Sequence, residues 1–208
     1  MTPDLYGKAR RHLARRDPVL KRLMAAVGPC TLRPDPDRFG VLVRSVVSQM
    51  ISTRAALTIG TRLTALLAPH GGLTPPAVLA VPEEALRGAG LSGSKVRSIR
   101  AIAAAVADGS LPLAGLDGDD AAATAALTRL HGVGVWTAEM FLIFGLGRPD
   151  VLPVGDFGLR AGVKEQYGLD ALPGPALLRE RAEPWRPYRT VATWYMWRSR
   201  GFVPQSDA

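Results

Sequence analysis

Cysteine is nearly absent: the 208 residues contain one, Cys30. A single thiol excludes an intrachain disulfide framework and any iron–sulfur or zinc site built on four cysteines. In Gly28-Pro29-Cys30 it reads as buried and inert. Histidine is scarce too, and His12, His70 and His131 are scattered without metal-ligand spacing. Long apolar runs are missing. No stretch approaches the roughly 18 apolar residues of a membrane span, and the basic opening MTPDLYGKARRHLARRDP lacks the apolar core of a secretory leader. The expected compartment is the cytoplasm, a bacterial cytosol or nucleoid. Acidic residues are outnumbered, 18 Asp and Glu against 26 Lys and Arg, for a formal charge of +8 and a pI of about 10.4. That balance favours a polyanionic partner, nucleic acid first, although ribosomal, membrane-surface and merely arginine-rich proteins share it. With 47% hydrophobic residues, the chain can bury a core as one domain or two small lobes.

Strand-like alternation and internal repeats are also absent; what recurs is helical periodicity. Residues 1–27 predict a basic helical pair broken at Asp17-Pro18, with Arg10, Arg11, Arg15 and Arg16 on a solvated face. A loop follows over Thr31–Asp37. FGVLVRSVVSQMIS continues into TRAALTIGTRLTALLA, predicting two helices with a break at Ser48–Ser52. PHGGLTPP reads as a turn, followed by a short helix at Pro82–Arg87 and another from Lys95 to Ala107. Asp119 or Asp120 caps a helix through Leu130. Further helices are expected over Val135–Phe144, from Phe157, and over Trp185–Arg198. The fold class is all-α: a two-lobed orthogonal helical bundle.

The most informative stretch is Leu127-Thr-Arg-Leu-His-Gly-Val-Gly-Val-Trp-Thr-Ala138. Two helices meet across His131-Gly132-Val133-Gly134, where glycine permits positive φ and close backbone approach. The first amides of the second helix have no internal partner and suit a phosphate oxygen. Such a contact positions a nucleic acid without reading its bases. G-x-G alone would equally make an ordinary tight turn.

With its flanks, L-x-x-L-x-G-V-G-x-x-T-A resembles the hairpin of the helix-hairpin-helix (HhH-GPD) glycosylase superfamily. The Gly/Pro-rich loop Gly145-Leu-Gly-Arg-Pro-Asp-Val-Leu-Pro-Val-Gly-Asp156 resembles that family's second landmark, and His131 stands where the hairpin usually has proline. The resemblance spans about residues 39–203. It implies one glycosylase unit over 1–208, with 1–38 and about 157–208 forming one lobe, about 39–156 the hairpin lobe, and an active site in the cleft between them.

The resemblance makes Asp156 the catalytic carboxylate; by itself, Asp156 reads as an N-cap. The two roles agree, because a helix N-terminus favours negative charge. Cleaving an N-glycosidic bond builds oxocarbenium-like charge on the sugar, which a fixed carboxylate stabilises. Bifunctional members carry a lysine where this chain has Trp136, so a monofunctional enzyme without Schiff-base chemistry is expected. The aromatic ending, with Trp185, Trp194, Tyr195 and Trp197, is similar to the 3-methyladenine DNA glycosylase II branch, where tryptophans matching Trp136 and Trp194 line the pocket for a flipped base; such tryptophans are otherwise core residues.

The resemblance further assigns Gly132, Val133, Gly134 and Thr137 to DNA. It makes Gln49 a wedge into the duplex, against the alternative of a helix break, and puts Lys95 near a phosphate, against that of a solvated lysine. It also implies a sodium or potassium ion on the carbonyls of Thr128, Leu130 and Val133. No cofactor is required, no iron–sulfur cluster is expected, and the partner is damaged double-stranded DNA, bound by a monomer. The expected function is base-excision repair of alkylated purines such as 3-methyladenine and 7-methylguanine. The alternatives are a non-catalytic helix-hairpin-helix DNA-binding module, or a glycosylase for uracil, hypoxanthine or ethenoadenine.

Overall fold

Side-chain oxygens mark where many of the helices begin. The computed structural model describes residues 3–201. Met1 and Thr2 of the basic opening, and Phe202 and Val203 at the end of the expected resemblance, lie outside the described residues. Among those described, every regular element is a helix. The α-helices are α1 (Pro3–Arg16), α2 (Pro18–Val27), α3 (Arg38–Ser48), α4 (Thr53–Leu67), α5 (Pro75–Ala80), α6 (Glu83–Gly88), α7 (Gly93–Ala107), α8 (Asp120–Thr128), α9 (Val135–Met140), α10 (Phe157–Tyr167), α11 (Pro175–Ala182) and α12 (Arg189–Ser199). Asp17, Asp37, Ser52, Thr74, Ser92, Asp119 and Asp156 each accept an amide of the helix they open, satisfying donors the helix itself leaves orphaned. None of these helices is long and apolar enough to cross a membrane.

The structure departs from the sequence expectation at four places. Thr74-Pro75-Pro76, expected as a turn, opens α5, and Pro175 likewise opens the unexpected α11. Proline in the first helical turn loses only an amide that had no partner there. The last helix starts at Arg189 rather than Trp185, which sits in a preceding 3-10 turn, Glu183–Trp185. The helix expected over Val135–Phe144 is α-helical only to Met140 and then widens into a π-turn, Phe141–Gly145.

The described residues pack as two compact units, divided in sequence after Pro34 and again after Phe141. The expected lobe boundaries, at 38/39 and 156/157, are corrected accordingly. Asp35–Arg38 joins the middle unit because Asp35 pairs with Arg44, and Arg38 donates to the Leu113 carbonyl at 2.7 Å and to Asp117 at 2.6 Å. The loop holding Asp156 joins the terminal unit through α12. Arg189 Nε donates to Asp150 at 2.8 Å, Thr190 Oγ1 donates to the Arg148 carbonyl at 2.7 Å, and Val151 N donates back to Thr190 Oγ1 at 2.9 Å.

In the middle unit α3 is the core helix. Val41, Leu42, Val43, Val46 and Val47 are all buried, so the valines that would suit a strand are overridden by packing on every side. α7 packs on α3 and α5, and α9 on α3 and α8. In the terminal unit α10 crosses α12 so closely that a Cβ at Gly162 would stand 2.8 Å from the Met196 carbonyl oxygen. Asp17 joins three segments of that unit. Its Oδ1 caps α2, while its Oδ2 accepts the Tyr167 hydroxyl and the Trp185 indole N–H, the latter at 2.8 Å. Burial, reinforced by the Asp17 carboxylate, pushes the Tyr167 phenol well above its ordinary pKa of 10.0.

Replacing Asp17 by alanine orphans two buried donors and an N-cap together, and is expected to destabilise the protein by about 3 kcal/mol. Chemical denaturation followed by tryptophan fluorescence measures this; a loss under about 0.5 kcal/mol, the level of an ordinary surface substitution, would refute the network's role.

Candidate active site

Asp156 occupies the N-cap of α10 with extended backbone (φ −73°, ψ 121°). Two donors converge on one of its oxygens: the Leu159 amide reaches Oδ1 at 2.6 Å and the Trp197 indole N–H reaches it at 2.8 Å. Trp197 is 2% exposed and stacks on Phe144 with ring centroids 5.8 Å apart and planes 17° apart. Gly158 makes room for this contact, since a Cβ there would come within 3.1 Å of both Asp156 Oδ1 and Trp197 Cδ1. Phe157 stands exposed beside the carboxylate, with the Arg200 guanidinium 5.9 Å from its ring centre. A carboxylate held by an amide and an indole on a helix N-terminus is a preorganised negative charge, suited to stabilising a cation that forms during a reaction.

Trp194, the pocket residue suggested by resemblance, is placed differently. It is 1% exposed, meets Tyr195 edge-on at 4.9 Å, and carries the Arg198 guanidinium 5.6 Å over its ring. Trp197 is the tryptophan at the carboxylate. Periodicity cannot choose between them, because Thr190 to Trp197 are buried on every side of α12 and no face is marked. Trp136, in the first turn of α9, belongs to the middle unit.

The hairpin has the expected form. α8 ends at Thr128, Gly132 adopts φ +74°, and Gly134 N-caps α9 without any side-chain oxygen. Ser98 of α7 backs the turn; a Cβ at Gly132 would lie 1.8 Å from its Oγ. The polar side chains assigned to DNA have partners within the protein. Thr137 is fully buried, and its hydroxyl accepts Gln49 Nε2 at 2.8 Å. Gln49 Nε2 also donates to the Gly132 carbonyl at 3.0 Å, so this carboxamide staples the hairpin to the end of α3. Lys95 Nζ donates to the carbonyls of Val47 at 2.7 Å and Gln49 at 2.9 Å. The side chain that projects is Met50, fully exposed at 101% and the only non-glycine among the described residues with positive φ (56°). Nothing in Ser-Gln-Met-Ile-Ser announces a left-handed residue. Arg10, Arg11, Arg15 and Arg16 are exposed on α1, and among the described residues no three His, Cys, Asp or Glu side chains gather as a metal site.

Residues 43–187 match the family model of the HhH-GPD superfamily base excision DNA repair protein. This chain belongs to that superfamily. It is 31% identical over 199 residues to the alkylbase DNA glycosidase-like protein mag2 of Schizosaccharomyces pombe, covering 92% of each chain. Among solved structures it resembles the S. pombe 3-methyladenine DNA glycosylase Mag1 in complex with abasic DNA, at TM-score 0.85 and 31% identity, over 95% of this chain and 98% of that one. It also resembles the Bacillus halodurans DNA-3-methyladenine glycosidase, at TM-score 0.74 and 37% identity, over 96% of this chain and 90% of the other.

The two hairpin glycines of this HhH-GPD protein differ in what they tolerate. Gly132→Ala places a Cβ at positive φ and into Ser98, and is expected to cost about 2–3 kcal/mol. Gly134→Ala meets nothing within 4 Å at φ −95° and should change stability by under about 1 kcal/mol. Thermal melts of the two variants side by side check this ordering, and equal losses would contradict it.

Proposed function

We propose that this HhH-GPD protein is a monofunctional DNA glycosylase that removes alkylated, cationic purines such as 3-methyladenine and 7-methylguanine from double-stranded DNA, leaving an abasic site. The observation that carries this reading is the seating of Asp156 Oδ1 between the Leu159 amide and the Trp197 indole. The structural carboxylate Asp17 is also held by amides and an indole, but it is buried, whereas Asp156 is only half-buried. The relatives and structural neighbours named above support the same substrate class.

The chemistry follows from charge. As the N-glycosidic bond breaks, its electron pair leaves with the base, which departs neutral if it was cationic. Positive charge develops on the deoxyribose, and the Asp156 carboxylate stabilises it. Water adds its oxygen at C1′, and the proton it releases passes to the carboxylate. Trp136 replaces the lysine that would form a Schiff base, so the DNA strand stays intact. The electron-rich face of an indole suits a cationic purine once it leaves the stack.

Contacts to DNA come from the backbone. The amides at the start of α9 take a phosphate oxygen around Gly132, Val133 and Gly134. A sodium or potassium ion at that phosphate would be held by the carbonyls of Thr128, Leu130 and Val133, at the end of α8 and in the turn after it. Met50, rather than Gln49, is the residue presented to the duplex.

Base release from randomly methylated DNA tests the proposal. Asp156→Asn keeps an N-cap acceptor, so the fold should survive, while release falls by about 10²–10³-fold or more. Abasic strands left uncut by the wild type mark it as monofunctional. An Asp156→Asn protein that releases base at the wild-type rate refutes the mechanism, and DNA binding without release of any lesion by the wild type leaves a non-catalytic clamp.

Trp197→Phe keeps the ring stacked on Phe144 but removes the indole donor. It should lower the single-turnover rate roughly tenfold, with affinity for abasic DNA unchanged. An unchanged rate would separate the indole hydrogen bond from catalysis.

A further inference from the structure

We propose that Lys95 is a positioning residue for base extrusion: its ammonium fixes the turn after α3, so that Met50 projects outward while Gln49 turns inward to hold the hairpin. The inference rests on the glycosylase reading above, but concerns a residue remote from the chemistry.

The argument begins at the end of α3. The last carbonyls of a helix have no amide partner and carry the negative end of its dipole. Lys95 Nζ reaches the carbonyls of Val47 at 2.7 Å and Gln49 at 2.9 Å. These two carbonyls bracket Ser48 and lead directly into Met50, which is held at φ 56°. A left-handed, side-chain-bearing residue persists only where its surroundings over-determine it. Here the carbonyl before Met50 is held by Lys95, and the Gln49 side chain spends both amide hydrogens on the Gly132 carbonyl and Thr137 Oγ1. The turn is therefore tied through both the backbone and the side chain of Gln49.

α7 also supports the other side of the arrangement. Ser98, three residues after Lys95, fills the space behind Gly132 and is 2% exposed. One helix thus seats both the exposed methionine and the phosphate-binding turn, and sets the spacing between them. Lys95 is half-buried in doing so, and burial lowers its pKa below that of an ordinary lysine. A lysine serving as a phosphate contact would stay solvated and free of two backbone carbonyls.

The test uses Lys95→Met, which keeps the length and loses the charge, and Lys95→Arg, whose guanidinium can bridge two carbonyls. Each is compared with wild type on duplex DNA carrying 2-aminopurine beside an alkylated base, and on the same lesion in an unpaired bubble. Lys95→Met should reduce both the fluorescence rise on unstacking and single-turnover release from the duplex by roughly tenfold, while release from the bubble stays within about twofold. Lys95→Arg should recover most of the loss, and adding Lys95→Met to Met50→Ala should cost little further, because both act through one side chain.

Equal activity of Lys95→Met and wild type on the duplex would overturn the inference. So would a uniform loss on both substrates with the salt dependence of binding reduced by about one charge, the signature of a phosphate contact. A Lys95→Met protein whose duplex defect persists undiminished in the Met50→Ala background would overturn it as well. If Lys95→Met does not fold, Lys95→Arg on the duplex and bubble decides, with a large bubble defect counting against. Fluorescence separates this inference from the glycosylase reading. A wild type that unstacks 2-aminopurine without releasing base defeats the glycosylase reading alone, whereas one that leaves it stacked defeats the positioning role.

Discussion

The terminal unit is organised around one oxygen atom, Asp156 Oδ1, which two donors from separate helices must reach together. The Leu159 amide arrives with α10 itself, but the Trp197 indole arrives on α12, so the crossing of these helices has to be set closely. Gly162 lets their backbones approach, Gly158 clears the space between carboxylate and indole, and the Asp150–Arg189 and Thr190 contacts fix the loop that delivers Asp156. Asp17 holds the far end of α10 through Tyr167 and the approach to α12 through Trp185. A buried charge of this kind demands full pairing, and it has that pairing from two N-cap amides, a phenol and an indole.

Much of this was legible in the residues because it rests on local chemistry. Asp17-Pro18, Ser52, Asp119 and Asp156 announce helix starts, and Gly132 with Gly134 announce a hairpin; each signal is complete within a few positions. The misreadings share another cause. Proline at 75 and 175 is as compatible with a first helical turn as with a loop, and only the rest of the chain decides. Trp194 and Trp197 lie three residues apart on a helix buried all round, so the choice between them depends on where α10 runs. The family resemblance implied DNA-facing roles for Gln49, Thr137 and Lys95. Here they satisfy carbonyls and one another, at partners up to 88 residues away, which no window along the chain contains.

The middle unit shows the same economy in α7. Lys95 closes the end of α3, and Arg100 closes the end of α5 by donating to the carbonyls of Val78, Leu79 and Val81 at 3.1 to 3.4 Å. A bundle of short helices has many ends, and each leaves acceptors that need donors. Long cationic side chains from a neighbouring helix supply them while keeping their stems in the core. Part of the positive charge that suggested a polyanionic partner is therefore structural.

Position 50 is a place where robustness and use oppose each other. Glycine or asparagine would occupy its left-handed backbone more comfortably than methionine does, by about 1 kcal/mol, and would remove an exposed apolar side chain as well. A laboratory selection for heat resistance alone would tend to discard Met50 early, and the survivors would keep their helices, their hairpin and their carboxylate while losing a fully exposed apolar side chain. Thermostabilised descendants of this protein are therefore better ranked by turnover on paired DNA than by melting temperature.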